Sequence, residues 1–140
     1  YPVNMICLEK CCDTLDSYMN EDISFEEWEG ILLQVIFTLI IYQKAFLFIH
    51  NDLHTCNIMY NETDKKYLVY HYNNKYYKVP TFGKIWKIID FGRAIYKFRG
   101  ETICSDSYHK EGDAATLYNT EPYLNKDKPR LEPNFSFECF

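Results

Sequence analysis

Basic residues are scarce in this chain relative to acidic ones. Fifteen Lys and Arg stand against 20 Asp and Glu, giving a net charge of −5 and a pI near 5.3. A dedicated nucleic-acid binder carries a basic excess, so direct contact with nucleic acid is not expected. No signal peptide is expected ahead of the six cysteines, Cys7, Cys11, Cys12, Cys56, Cys104 and Cys139, and no C-x-x-C pair occurs among them. Reduced, mostly buried thiols in an intracellular protein, cytoplasmic or nuclear, are therefore expected over a disulfide framework or a zinc site. No internal repeat is visible. The longest apolar stretch, residues 31–49, could span a bilayer by length. Gln34, Thr38, Gln43 and Lys44 interrupt it. It reads as a buried helix of a globular domain, and no membrane association is expected.

What is present is enough to build a core. Of the 140 residues, 47% are hydrophobic and 18% aromatic, which argues against a disordered chain and fits one domain of ordinary size. The opening "YPVNMICLEKCC" is already strand-like and the closing "FSFECF" is apolar. Both read as cut ends, so a fragment of a longer domain is expected.

Periodicity orders the elements. Residues 3–11 read as a strand. Residues 13–19 read as a helical turn capped by Asp13, with Leu15 and Met19 as an i, i+4 pair. Ser24 and Glu27 form a Ser-x-x-Glu capping box, which predicts a helix from Phe25 to about Phe48. Residues 57–60 read as a short strand and 61–65 as a turn. A hairpin is expected around Asn73-Asn74, and "KIWKIID", 84–90, alternates as a strand. Residues 99–134 read mostly as loop. The fold class is α+β.

The chemistry concentrates in "FIHNDLHTCNIMY", residues 48–60. An aspartate suits two tasks, accepting a proton from a hydroxyl and binding a hard cation. Asn57 adds a neutral oxygen ligand. Forty residues after His50, Asp90 ends an apolar strand and is followed by Phe91 and Gly92. A carboxylate there, beside a glycine, is placed to hold a metal at a cleft. Taken singly these residues have plain readings: His50 as a helix C-cap, Asp52 as a turn residue, Asn57 as a loop amide. Their joint occurrence with Asp90 argues otherwise.

His50, Asp52, Leu53 and Asn57, followed by a strand and by Asp90, Phe91 and Gly92, resemble the eukaryotic protein-kinase superfamily, with its H-x-D-L-x-x-x-N loop and D-F-G. The resemblance implies a partial kinase-like domain over residues 1–140. Residues 1–12 would end the small lobe and form the hinge, and 13–140 would begin the large lobe. It implies ATP and Mg²⁺ as cofactors. Leu8 would take the gatekeeper place, backbone near Glu9 and Cys11 would meet the adenine edge, and Met59 would lie under the ring. Asp52 would orient the substrate hydroxyl. Asn57 and Asp90 would hold Mg²⁺, His50 would support the loop, and His54 would approach the γ-phosphate. Residues 93–134 would hold the activation segment.

A closer resemblance is to haspin. His54 stands where most Ser/Thr kinases have lysine, an extra hairpin precedes the D-F-G strand, and "ICSDSYHKEGDAAT" is similar to the haspin segment that replaces the usual activation loop, with no Ala-Pro-Glu following. The chain departs from haspin in keeping D-F-G, and Asn51 replaces the arginine of His-Arg-Asp. Phospho-switching, through Ser105 or Ser107 for example, is thus expected to matter little. The resemblance implies a protein substrate phosphorylated on Ser or Thr, a histone-like target following from haspin alone. Three other readings compete: a small-molecule kinase of the aminoglycoside or choline type, an inactive pseudokinase or scaffold (this chain shows no glycine-rich loop and no strand lysine), and a metal hydrolase built on His50, Asp52 and His54.

Overall fold

Ser24 starts the longest element. Its hydroxyl accepts from the Glu27 amide at 3.2 Å, and the helix α2 runs Phe25–Phe46, closing at Leu47 in the left-handed region (φ 49°). The Glu27 carboxylate does not complete a reciprocal box. It accepts instead from the Tyr18 hydroxyl at 2.6 Å and faces Lys84 at 3.8 Å. The computed structural model describes residues 5–104 together with Val3, Ser107, Glu111 and Gly112.

Among the described residues three small antiparallel sheets accompany α2, in keeping with an α+β chain. The first has the order β1 (Asp13–Thr14), β2 (Ile58–Glu62), β5 (Lys84–Ile88). The second is the hairpin β3 (Tyr67–Tyr72) and β4 (Lys75–Pro80), turning at Asn73 and Asn74, both with positive φ (49° and 57°). The third is a hairpin of β6 (Tyr96–Phe98) and β7 (Glu101–Ile103), turning at Arg99 and Gly100 (φ 52° and 86°). A one-turn helix, α1 (Leu15–Tyr18), follows β1, capped by the Thr14 hydroxyl rather than by Asp13.

The ladder between β2 and β5 sorts residues by face. Ile58 pairs with Ile88 and Tyr60 with Trp86. These four meet Leu15, Ile31 and Val35 in the main core. The intervening pairs, Met59 with Lys87 and Asn61 with Ile85, point to the opposite face. β5 is an edge strand, and its outer backbone groups are served by Gln34. This side chain is 1% exposed; its Nε2 donates to the Lys84 carbonyl at 3.3 Å and its Oε1 accepts from the Trp86 amide at 3.0 Å. The polar break in the apolar stretch 31–49 is therefore a strand partner. By length and composition α2 passes as a bilayer span, yet its inner stripe is packed against β5 and the hairpin.

The hairpin β3–β4 lies on α2 through aromatic rings. Phe37 stacks on Tyr70 with centroids 4.5 Å apart and meets Tyr77 at 5.1 Å. Gly30 allows the close approach: a Cβ there would stand 2.9 Å from the Pro80 carbonyl oxygen.

Further expectations are corrected. Residues 5–11 form no strand, because no described strand pairs with them; Leu8 is 85% exposed. The helix stops at Phe46, two residues early, where Leu47 turns left-handed. Strand β2 continues to Glu62, through part of the expected turn. The hairpin β6–β7 lies partly in a stretch read as loop. No disulfide joins Cys7, Cys11, Cys12, Cys56 and Cys104, but these thiols are not mostly buried as expected: Cys7, Cys12 and Cys56 are exposed and Cys11 and Cys104 partly covered, while Cys139 lies outside the described residues. So do Ser105, most of the haspin-like stretch 103–116, and everything past Gly112.

Candidate functional site

The loop after α2 is held against the segment after β5 by backbone and side chain together. Ile49 and Ile95 exchange two hydrogen bonds, both 2.9 Å. Between them and the β2–β5 ladder, residues 50–57 and 89–93 are brought side by side.

His50 is fully buried. Its Nε2 lies 2.8 Å from the Ile89 carbonyl oxygen, and its Nδ1 accepts from the Asp52 amide at 3.3 Å. Those partners assign the proton to Nε2 and a neutral ring. With both nitrogens engaged, His50 ties the loop to the strand that delivers Asp90. The hydrolase reading needs His50 as a ligand, and this geometry denies it. Among the described residues no group of three or more His, Cys, Asp or Glu is arranged to hold a metal ion.

Asn51 sits in the left-handed region (φ 63°), which asparagine tolerates, and its Nδ2 donates to the Arg93 carbonyl at 3.1 Å. Arg93 in turn extends Nη1 to Asp52 Oδ1 at 3.0 Å. The other Asp52 oxygen, Oδ2, is 3.9 Å from His54 Nε2. Asp52 is thus a half-exposed carboxylate with one oxygen on a guanidinium and the other toward an exposed imidazole. Arg93 was not among the site residues expected from the sequence. No local signal marks it, because the pair spans 41 positions.

Asn57 is buried in a single 3-10 turn, Thr55–Asn57. Its Nδ2 donates to the Asp52 carbonyl at 2.9 Å and lies 3.1 Å from His54 Nε2, while its own carbonyl accepts from the Ile89 amide at 3.0 Å. Thr55 anchors the turn to α1 by donating to Asp16 Oδ1 at 2.7 Å. Asp90 is exposed and left-handed (φ 60°), with Oδ1 accepting from the Gly92 amide at 3.2 Å. A Cβ on Gly92 would come within 3.1 Å of that oxygen, so glycine keeps the carboxylate in place.

Asn57, just before β2, offers an amide oxygen, and Asp90, after β5 and next to the Ile89 that Asn57 bonds, offers a carboxylate. These are hard donors, few in number, and the set suits Mg²⁺, which keeps several waters and takes one or two carboxylates plus phosphate oxygens. Asn57 Nδ2 faces the Asp52 carbonyl, which leaves the amide oxygen for a cation.

Of the residues expected near adenine, Met59 and Glu9 lie on the other face of the first sheet. Met59 pairs with Lys87 there. Glu9 accepts from Lys87 Nζ and, at 2.8 Å, from Asn61 Nδ2, which draws the 5–11 segment across that face. The hydrogen bond from Lys87, and then its charge, hold the Glu9 carboxyl below the usual carboxylate range. Leu8 points to solvent, and Cys11 is partly covered.

No protein-family model matches the chain. Two curated proteins are similar to it. One, from Acanthamoeba polyphaga mimivirus, is provisionally named a serine/threonine-protein kinase and is 34% identical over 108 residues, 74% of this chain and 26% of that protein. The other, from Dictyostelium discoideum, carries the same provisional name and is 34% identical over 122 residues, 78% of this chain and 10% of that protein. The chain therefore spans about a quarter of one relative's length and a tenth of the other's. These similarities support the protein-kinase family and nothing narrower.

Proposed function

We propose that this chain carries the catalytic-loop part of a haspin-like protein kinase, which transfers the γ-phosphoryl group of ATP to Ser or Thr hydroxyls of a protein inside the cell. The observation that carries the reading is the joint clamping of the two motif segments. His50 and Asn57 both bond to the backbone of Ile89, one residue before Asp90, while Asp52 is bonded by Arg93 beyond it.

Phosphoryl transfer asks a protein for positioning and charge neutralisation more than for covalent help. Asp52 orients the hydroxyl and takes up its proton as the oxygen–phosphorus bond forms; the bond from the γ-phosphorus to ADP breaks, and the proton passes on to solvent. Asn57 and Asp90 would hold Mg²⁺, which neutralises phosphate charge when bound. His50 positions. His54, beside Asp52 and Asn57, would approach the γ-phosphate, and its imidazole is a weaker partner there than a lysine. The face bearing Met59, with the 5–11 segment across it, would receive the adenine. The provisional kinase names of the two relatives agree with this reading.

The full-length polypeptide, given labelled Mg-ATP, is expected to label a Ser/Thr peptide library and to leave aminoglycosides and choline unlabelled. Labelling of the small molecules alone would replace the reading with small-molecule phosphotransfer. No labelling at all would favour a non-catalytic scaffold.

A further inference from the structure

We infer that Arg93 is a positioning residue for Asp52: its guanidinium fixes which carboxylate oxygen meets the incoming hydroxyl. The inference rests on the reading of Asp52 as the hydroxyl-orienting carboxylate. A carboxylate on a loop has two equivalent oxygens and a freely turning χ2. Here Oδ1 is taken by Arg93 Nη1 at 3.0 Å, so Oδ2, the oxygen on the His54 side, is the one presented.

The pair is not needed to hold the segments together. The exchanged bonds between Ile49 and Ile95, the His50 bond to Ile89 and the Asn51 bond to the Arg93 carbonyl all do so without the Arg93 side chain. Nor does it add much stability. The two side chains are 27% and 26% exposed, and a single ion pair so open to water adds little to stability. What remains is orientation, and Asn51 serves it by fixing the backbone from which Arg93 reaches. A planar guanidinium holds a carboxylate in a defined plane, which a lysine ammonium does not.

The test uses the full-length polypeptide with Mg-ATP and a phosphorylatable peptide, in wild type, R93A, R93Q, R93K, D52N and the double variant D52N/R93A. R93A and R93Q are expected to lower kcat roughly tenfold or more, with KM for ATP little changed and R93K between them and wild type. D52N/R93A is expected to be no slower than D52N, since Arg93 acts through Asp52. R93Q carries the test if R93A does not fold. Wild-type or raised turnover in R93A or R93Q overturns the inference, as does a double variant that loses the product of both single losses. Wild-type turnover in D52N overturns the reading of Asp52 itself and this inference with it; a slow D52N beside an unimpaired R93A overturns only the inference.

Discussion

His50 shows how a motif residue can be indispensable without touching chemistry. Its ring is fully buried and bridges the Asp52 amide and the Ile89 carbonyl. His50→Phe keeps an aromatic ring and orphans both backbone groups, and it is expected to cost about 2 kcal/mol or more of stability. Urea unfolding measures this, and equal unfolding free energies in the two proteins would contradict the bridging role. The residues of the loop were legible because their spacing is local: His50, Asp52 and Asn57 fall within eight positions, and Asp90 announces itself beside Phe91 and Gly92. Arg93 was not legible. Its placement depends on the left-handed turn at Asn51 and on the pairing of Ile49 with Ile95, neither of which a string of residues displays.

At the scale of elements, legibility followed how much of each element's hydrogen bonding is internal. Helix α2 satisfies its own backbone and starts at a Ser-x-x-Glu signature, so its range was read nearly to the residue. The hairpin β3–β4 has its turn in two asparagines that accept positive φ. The stretch 5–11 is apolar enough for a strand but needs a neighbour, and among the described residues it has none. The hairpin β6–β7 has strands of only three residues, too short for alternation to register. Packing between elements adds a constraint that local rules oppose. Alanine is favoured over glycine in a helix by about 1 kcal/mol. Yet a Cβ at Gly30 would stand 2.9 Å from the Pro80 carbonyl and 3.4 Å from the Phe82 ring. Overpacking of that kind costs about 1–3 kcal/mol. Gly30→Ala is therefore expected to be destabilising by about 1 kcal/mol net, as read by thermal or chemical unfolding. A stabilised variant would mean that α2 and β4 can part without loss.

At the scale of the whole molecule, two consequences can be measured. The first is alkaline sensitivity. Burial against α2 raises the Tyr70 phenol above its usual 10.0, and burial together with the bond to Glu27 raises that of Tyr18. Each phenol binds its proton more tightly folded than unfolded. The stability this confers is complete below pH 10 and is lost as the pH rises through the folded values. Tyr70→Phe should accordingly shift the midpoint of alkaline unfolding upward, and an unmoved midpoint would show that Tyr70 ionises as readily folded as unfolded. The second consequence is catalysis, and it joins the two halves of the site. Asp52 lies after α2 and Asp90 after β5; the account makes them one centre because His50 and Asn57 both bind the Ile89 backbone. The most direct measurement is turnover of the full-length polypeptide with Mg-ATP and a Ser/Thr peptide, in wild type, Asp52→Asn and Asp90→Asn. The account predicts a loss of at least about a hundredfold in kcat for each variant, with both still folded; wild-type turnover in either would contradict it.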